Sequence, residues 1–205
     1  GADKITMTNA ATVVDADFTN VTSVETLTLA AAATDVDLGT LADAGGIRTV
    51  VSTAGAVNDD INIVKDFASD ITIQIGQGDD TITAAATYAG AMTVDLSTLG
   101  DADDLDGNDT ITGGAGSDTL LVKATGSAVT STELAGVSGI ETIKIANNAS
   151  TGAITLADAN TADGKAITVD GTALVSDSTV LTVVGTAEAD GALTVLGGAG
   201  DDVIT

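Results

Sequence analysis

Short runs in which Val, Ile or Leu alternates with Thr recur along this chain. Gly, Asp or Asn interrupts them roughly every 9–20 residues. Alternation with a period of two is the pattern of a strand with one buried face. Such runs lie at Lys4–Thr8, Thr26–Ala30, Ile47–Ser52, Ile61–Val64, Ile71–Ile75, Met92–Leu96, Leu120–Lys123, Thr142–Ala146, Ile167–Asp170, Leu181–Val184 and Leu193–Leu196. Helical periodicity is absent, and the Ala-rich patches at 30–33 and 84–86 are too short for stable helices. Evenly spaced short strands fit a sandwich, a barrel or a solenoid. The only aromatics are Phe18, Phe67 and Tyr88, so the core must be thin. Small aliphatic side chains suit the inside of a coil of short strands.

Charge sets the second constraint. Over 205 residues, 30 acidic groups face 6 basic ones, a formal charge of −24. Between Lys65 and Lys123 there are eleven Asp and no Lys or Arg, so ion pairs within that stretch cannot neutralise it. Leu, Ile, Val and Phe still make up about a quarter of the chain, above the roughly 20% below which charged chains are usually disordered. The chain is therefore expected to fold once something cancels its charge. Asp outnumbers Glu 26 to 4. Short carboxylates favour turns, caps and hard-cation sites over helical surfaces.

The same composition excludes other functions. An acidic chain repels phosphate, so nucleic acid is not a partner. Without Cys or His there is no zinc or haem site and no disulfide. No apolar run approaches the ~18 residues needed to cross a membrane, so no membrane insertion is expected. No basic-then-apolar leader opens the chain, as expected of a piece of something longer.

An internal repeat is legible. Asn20–Ala30 (NVTSVETLTLA) resembles Gly136–Ala146 (GVSGIETIKIA), and TLADA occurs at Thr40–Ala44 and Thr155–Ala159. GQGDDTIT at Gly76–Thr83 resembles GAGDDVIT at Gly198–Thr205, and the opening GADKIT resembles GSDTLL at Gly116–Leu121. Four collinear matches at nearly one offset define a tandem unit of about 115–120 residues. The expected division is 1–117, a first unit that starts within a turn, and 118–205, a truncated second unit. Glu25 and Glu141 hold equivalent places, each ahead of a strand, where the simplest role is to cap a turn and the alternative is a buried ligand or hydrogen-bonding role. Val137–Asn148 also contains L-x-x-L-x-L-x-x-N, a leucine-rich-type coil occurring singly, and a solenoid is favoured over the other architectures.

The strongest motif is Gly113–Leu121, GGAGSDTLL, which fits G-G-x-G-x-D-x-U-x with U a large apolar residue. Asp104–Thr112 precedes it directly and keeps Gly107, Asp109 and Ile111 at the same spacing. Gly197–Thr205 is a second full match, with Gly198, Gly200, Asp201, Asp202 and Ile204. Gly76–Thr83 keeps all but the first glycine, with Gly78, Asp79, Asp80 and Ile82. The opening GADKIT keeps Asp3 and Ile5. The glycines permit a loop whose carbonyl oxygens turn inward. The Asp adds a short carboxylate, and the apolar residue two positions later anchors the turn. Several hard oxygens at about 2.3–2.6 Å suit Ca²⁺. The candidate ligand residues are therefore Asp3; Gly76, Gly78, Asp79 and Asp80; Gly107 and Asp109; Gly114, Gly116 and Asp118; and Gly198, Gly200, Asp201 and Asp202. The acidic run Asp101, Asp103, Asp104 and Asp106 leads into the strongest motif and reads as further ligands. It is not an EF-hand, because the twelfth position would be Gly113 rather than Glu.

These turns resemble the RTX (repeats-in-toxin) calcium repeats of proteins exported by Gram-negative bacteria. With the Ala/Thr/Gly/Asp-rich strands, the chain is similar to calcium-dependent bacterial surface-layer proteins and related RTX surface adhesins. The resemblance implies an all-β, right-handed parallel β-solenoid, type I secretion to the cell surface and folding triggered by extracellular Ca²⁺. It implies no enzymatic activity. In a regular β-roll an ion is shared by turns about eighteen residues apart. Here only two nonapeptides are contiguous, so ligands are expected from more distant coils or another subunit.

The expected function is a calcium-stabilised structural segment of a surface-layer or extracellular fibre protein, with copies of itself as partner in a lattice or filament. The alternative is an adhesin stalk or a module that binds cell-surface polysaccharide. Catalysis is not expected, since Tyr88, Arg48 and the five Lys form no evident cluster.

Overall fold

Alternation gives each run an apolar face and a polar face, and parallel stacking puts like faces together. In a computed structural model the chain is a parallel β-solenoid of about eight turns. The structure describes residues 1–52, 55–97, 105–123, 128–146, 152–162, 164–189 and 191–205.

Among the described residues sheet one has nine strands: Lys4–Thr6, Thr26–Thr28, Thr49–Val51, Ile71–Gln74, Met92–Asp95, Thr119–Val122, Thr142–Ile145, Ala166–Asp170 and Ala192–Leu196. Sheet two has six: Thr12–Val13, Asp35–Leu38, Asp60–Ile63, Thr81–Ala84, Thr110–Thr112 and Val137–Ser138. Sheet three has three: Gly152–Thr155, Leu181–Val184 and Val203–Ile204. The chain alternates between sheet one and sheet two, then between sheet one and sheet three. Sheet one runs without a break across residues 117 and 118, through the pairing of Thr119 with Thr93 and with Thr142.

The register stacks one aliphatic residue per coil. In sheet one the inward ladder is Ile5, Leu27, Val50, Ile73, Val94, Leu120, Ile143, Val169 and Val195. In sheet two it is Val13, Val36, Ile61, Ile82, Ile111 and Val137. The ladders meet in one core cluster. A one-residue slip in any coil would turn its apolar row outward, so burial fixes the register. Outside sheet one, Thr26, Thr49, Thr72, Thr93, Thr119, Thr142, Thr168 and Thr194 stand in a single row. A β-branched residue with a hydroxyl suits this half-buried outer face. The aromatics are inside: Phe67 and Tyr88 pack with ring centroids 6.2 Å apart, and the Tyr88 hydroxyl donates to the Ser69 carbonyl at 2.7 Å.

All eleven expected strands are present, most ending one or two residues early. Those not foreseen have plain causes. Thr12–Val13 and Val137–Ser138 are two residues long, and Gly152–Thr155 opens on a glycine, which strands disfavour. Asp35–Leu38 carries two Asp, which strands disfavour. Thr81–Ala84, Thr110–Thr112 and Val203–Ile204 are the tails of the glycine turns. One expectation is corrected: Thr40–Gly45 is an α-helix, although its sequence alone could not sustain one. The preceding coil caps it. Asp15 Oδ1 accepts the Gly39 and Ala42 amides at 2.9 Å each, and Oδ2 accepts that of Leu41 at 3.1 Å. Its second occurrence, Thr155–Ala159, instead ends a strand and enters the 3-10 turn Asp158–Asn160. Asn148 of the leucine-rich-type pattern lies outside the described residues.

Truncating one rung of the ladder should cost more than truncating an exposed side chain. Ile73→Ala should lower stability by about 2–5 kcal/mol. Val175→Ala, at a side chain 70% exposed, should stay within about 0.5 kcal/mol. Urea unfolding at saturating calcium measures both.

Candidate metal centre

The Asp at the sixth position of each glycine motif stands one residue before a strand. Asp118 precedes Thr119–Val122 in sheet one, and Asp80 and Asp109 precede strands of sheet two. Asp202 precedes Val203–Ile204 in sheet three, and Asp3 precedes the first strand. The contiguous motifs at Asp109 and Asp118 thus serve different sheets. Coil spacing departs from the eighteen residues of a regular β-roll, as the scarcity of contiguous nonapeptides led us to expect. Paired residues lie between 21 (Ile71 and Met92) and 29 (Thr81 and Thr110) positions apart.

The turn at Gly113–Asp118 joins three coils. Asp118 is 0% exposed. Its Oδ1 accepts the Met92 amide of the preceding coil at 2.8 Å, and its Oδ2 the Gly114 amide at 2.7 Å. Its own amide donates to Glu141 Oε2 in the following coil at 2.8 Å. The glycines are there because neighbouring backbone leaves no room. A Cβ on Gly114 would lie 2.6 Å from the Tyr88 carbonyl oxygen, and one on Gly116 would run into the Gly90 carbonyl. The start of the chain repeats the outer link: the Asp3 amide donates to Glu25 Oε2 at 2.7 Å. Glu25 and Glu141 are thus hydrogen-bonding residues ahead of their strands.

Along sheet two the carboxylates form a column. The Asp59 amide donates to Asp80 Oδ1 at 2.7 Å, and the Asp80 amide to Asp109 Oδ1 at 2.9 Å. Asp109 Oδ2 takes the Asp106 amide at 2.8 Å, and Asp106 Oδ1 takes that of Asn108. Asp79 is exposed. Its amide donates to Asn58 Oδ1 at 3.0 Å, and its Oδ1 accepts from Asn108 Nδ2 at 3.2 Å. Gly78 sits at φ +134° against the Val57 carbonyl, while Gly76 is buried and Gly107 exposed. At the far end Asp202 Oδ1 accepts the Leu181 amide at 2.9 Å. Gly198 and Gly200 pack on the Leu174 and Thr179 carbonyls, and Asp201 is exposed. Asp101, Asp103 and Asp104 lie outside the described residues.

The structure therefore brings Asp79, Asp80, Asp106 and Asp109 into one stacked set and leaves Asp3, Asp118 and Asp202 at separate turns. It adds Asp59, which no glycine motif marks. Asp59 Oδ1 accepts the Thr34 amide at 2.9 Å and Oδ2 the Ser52 hydroxyl at 2.6 Å. Its signal was present: Asn58-Asp59-Asp60-Ile61 repeats the Asn-Asp-x-Ile of Asn108–Ile111.

Burial makes this column electrostatically costly. Desolvation, with Asp59, Asp109 and Asp79 nearby, pushes Asp80 up to about 7. Desolvation also raises Asp59, Asp109 and Asp118, against the hydrogen bonds that lower them. The ion pairs Arg48–Asp43, Lys65–Asp66 and Lys144–Asp170 use other carboxylates. The donors fit a hard cation: they are carboxylate and carbonyl oxygens, and Asp80 Oδ2 is buried without a hydrogen-bond partner. Among the described residues no three acidic side chains form a ready-made cage. Carbonyls and water would have to complete the coordination, as they commonly do for calcium.

Residues 101–122 and 194–205 match the family described as RTX calcium-binding nonapeptide repeat (4 copies). No curated protein and no solved structure matches the chain. The matched segments hold the turns of Asp109, Asp118 and Asp202. Nonapeptides of this kind bind calcium, so Ca²⁺ is the metal this chain takes.

Two outcomes follow. In chelator, each raised Asp keeps its proton to a higher pH in the folded chain than in the unfolded one. For Asp80 that contribution is full below about pH 4 and is lost as pH rises towards 7; Asp59, Asp109 and Asp118 act in the same direction. The melting temperature should therefore be lower at pH 8 than at pH 5, with calcium narrowing the gap, as read by circular dichroism. Gly116→Ala forces a Cβ into the Gly90 carbonyl and should cost at least about 2 kcal/mol. Gly55→Ala, with only a Val57 methyl at 3.9 Å, should be close to neutral in the same melts.

Proposed function

We propose that this chain is a calcium-stabilised structural segment of a secreted bacterial surface-layer or fibre protein, and that it self-assembles when calcium binds. The observation that carries the reading is the placement of Asp118. One carboxylate and one amide tie three successive coils together at a calcium-repeat turn. Calcium at such turns neutralises the carboxylates where coils stack, so its binding free energy becomes folding free energy. RTX-type repeat proteins are typically extracellular. Extracellular calcium modules commonly bind at about 10⁻⁴–10⁻³ M, a range that leaves the segment slack inside a cell and set outside it.

The chain's own residues do the rest. The aliphatic ladders hold the register, and the glycines let neighbouring coils approach. Asp59, Asp80, Asp109, Asp118 and Asp202 hold amides of the preceding coil in place. We further propose that residues 1–117 and 118–205 are successive copies of one unit. The matching links Asp3–Glu25 and Asp118–Glu141 support that division. A solenoid of like coils offers parallel strand edges and repeated faces, and further copies of the chain are the partner that fits them.

Calcium titration followed by circular dichroism, size-exclusion chromatography with light scattering and electron microscopy tests this, with magnesium as control. Strand signal should grow with calcium and ordered assemblies should follow, whereas magnesium at the same concentration should produce neither. A chain equally folded and monomeric in chelator and in calcium would overturn the reading. A calcium-folded monomer that adheres to polysaccharide would point to an adhesin module.

A further inference from the structure

Two residues beyond each threonine of sheet one lies a second outward row, and it is not uniform. Along neighbouring strands it reads Val51, Gln74, Asp95, Leu121, Lys144, Asp170 and Leu196. Leu121 stands at its middle. Counting outward from there, Asp95 on one side corresponds to Lys144 on the other, Gln74 to Asp170, and Val51 to Leu196. Each corresponding pair is complementary: opposite charges, an amide with a carboxylate, and two aliphatics. A twofold axis requires that order of a self-complementary surface, because residue i then meets j while j meets i.

The groups on this face have capacity to spare. The Lys144 side chain is 46% exposed, and its ion pair with Asp170 is long at 3.9 Å. An ammonium has three donors. Asp95 is 8% exposed and has no cation beside it among the described residues. Gln74 Nε2 donates to Asp95 Oδ2 at 3.2 Å, and the Ser97 amide and hydroxyl donate to Oδ1 at 2.9 and 2.6 Å. These bonds hold Asp95 and Gln74 side by side, and a carboxylate has lone pairs for a further donor. Leu196 is 45% exposed, although most aliphatic residues of this chain stack inward.

We propose that two copies of this chain pack face to face through sheet one, about a twofold axis that runs along the strands at Leu121. The contact presupposes that the chain self-assembles, and identifies the face it uses. Such an axis keeps the strands aligned, so the threonine row of one copy lies on that of the other. Leu121 meets Leu121, Val51 meets Leu196, Lys144 comes over Asp95, and Asp170 comes opposite Gln74. The register is specific. A slip of one strand sets Asp170 against Val51 in one direction and against Asp95 in the other, which buries an unpaired charge or two like charges. Seven strands about 4.8 Å apart give a face of roughly 400–500 Å² per copy, at the low end for a specific contact. That suits a reversible contact reinforced by repetition in an assembly.

Sedimentation velocity of the full chain at saturating calcium tests this with K144E, and with K65E as control. Both change the net charge equally, but Lys65 follows a strand of sheet two. K144E should weaken self-association at least tenfold and K65E less than threefold, with unchanged circular dichroism in both. A second readout uses the absence of native cysteine. Position 121 lies on the axis, and packed sheets stand about 10 Å apart, so a short bismaleimide should join two L121C copies. Thr6 is in the same row, five strands away. T6C would lie about 48 Å from its mate and should not be joined. Equal effects of K144E and K65E, or L121C joined no better than T6C, would overturn the proposal while wild type still associates. A wild type that stays monomeric in calcium would overturn self-assembly as well.

Discussion

Everything in this solenoid depends on carboxylates placed at the start of strands, where each holds an amide of the neighbouring coil. A backbone amide at a coil junction must find an acceptor, and a carboxylate is a strong one. The same arrangement buries negative charge in rows. Asp59, Asp80 and Asp109 stand one above another, so the hydrogen bonds that join the coils also concentrate repulsion between them. A divalent cation resolves that conflict without removing the carboxylates. The acidic composition and the calcium chemistry thus follow from one constraint.

The core is the complementary half of the arrangement. One aliphatic residue per sheet per coil fills a narrow interior, and Tyr88 and Phe67 serve as local wedges rather than a centre. Such a core contributes through repetition, each coil burying its apolar row only against its neighbours. Stability is then close to a sum over coils, and weakening one junction weakens the stack locally. This makes the turn carboxylates effective control points. They act at the junctions, where the aliphatic ladder alone contributes least.

Much of the fold was legible before any coordinates. Strand runs such as Ile71–Ile75 and Leu181–Val184 were visible because burial of one face leaves a period of two in the sequence. The turns at Gly113–Asp118 and Gly197–Asp202 were visible because close backbone approach admits only glycine there. The helix at Thr40–Gly45 was not visible, because its cap, Asp15, comes from another coil. The role of Asp59 is hidden in the sequence for a related reason. Its turn lacks the glycines, and its role appears only when Ser52, Thr34 and Asp80 are brought beside it.

The sequence by itself determined the short strands, the glycine turns, the thin core and the excess of carboxylates, since each is a matter of local pattern or total charge. The tertiary structure alone decided which residues face one another. Coil lengths of 21 to 29 residues set which carboxylate lies over which amide, and those lengths are fixed by how each corner packs. That stacking left Asp80 with a free buried oxygen and committed every oxygen of Asp109 and Asp118. Similar Gly/Asp motifs therefore differ in how many carboxylate oxygens are hydrogen-bonded, because those oxygens are shared out by neighbours distant in the chain.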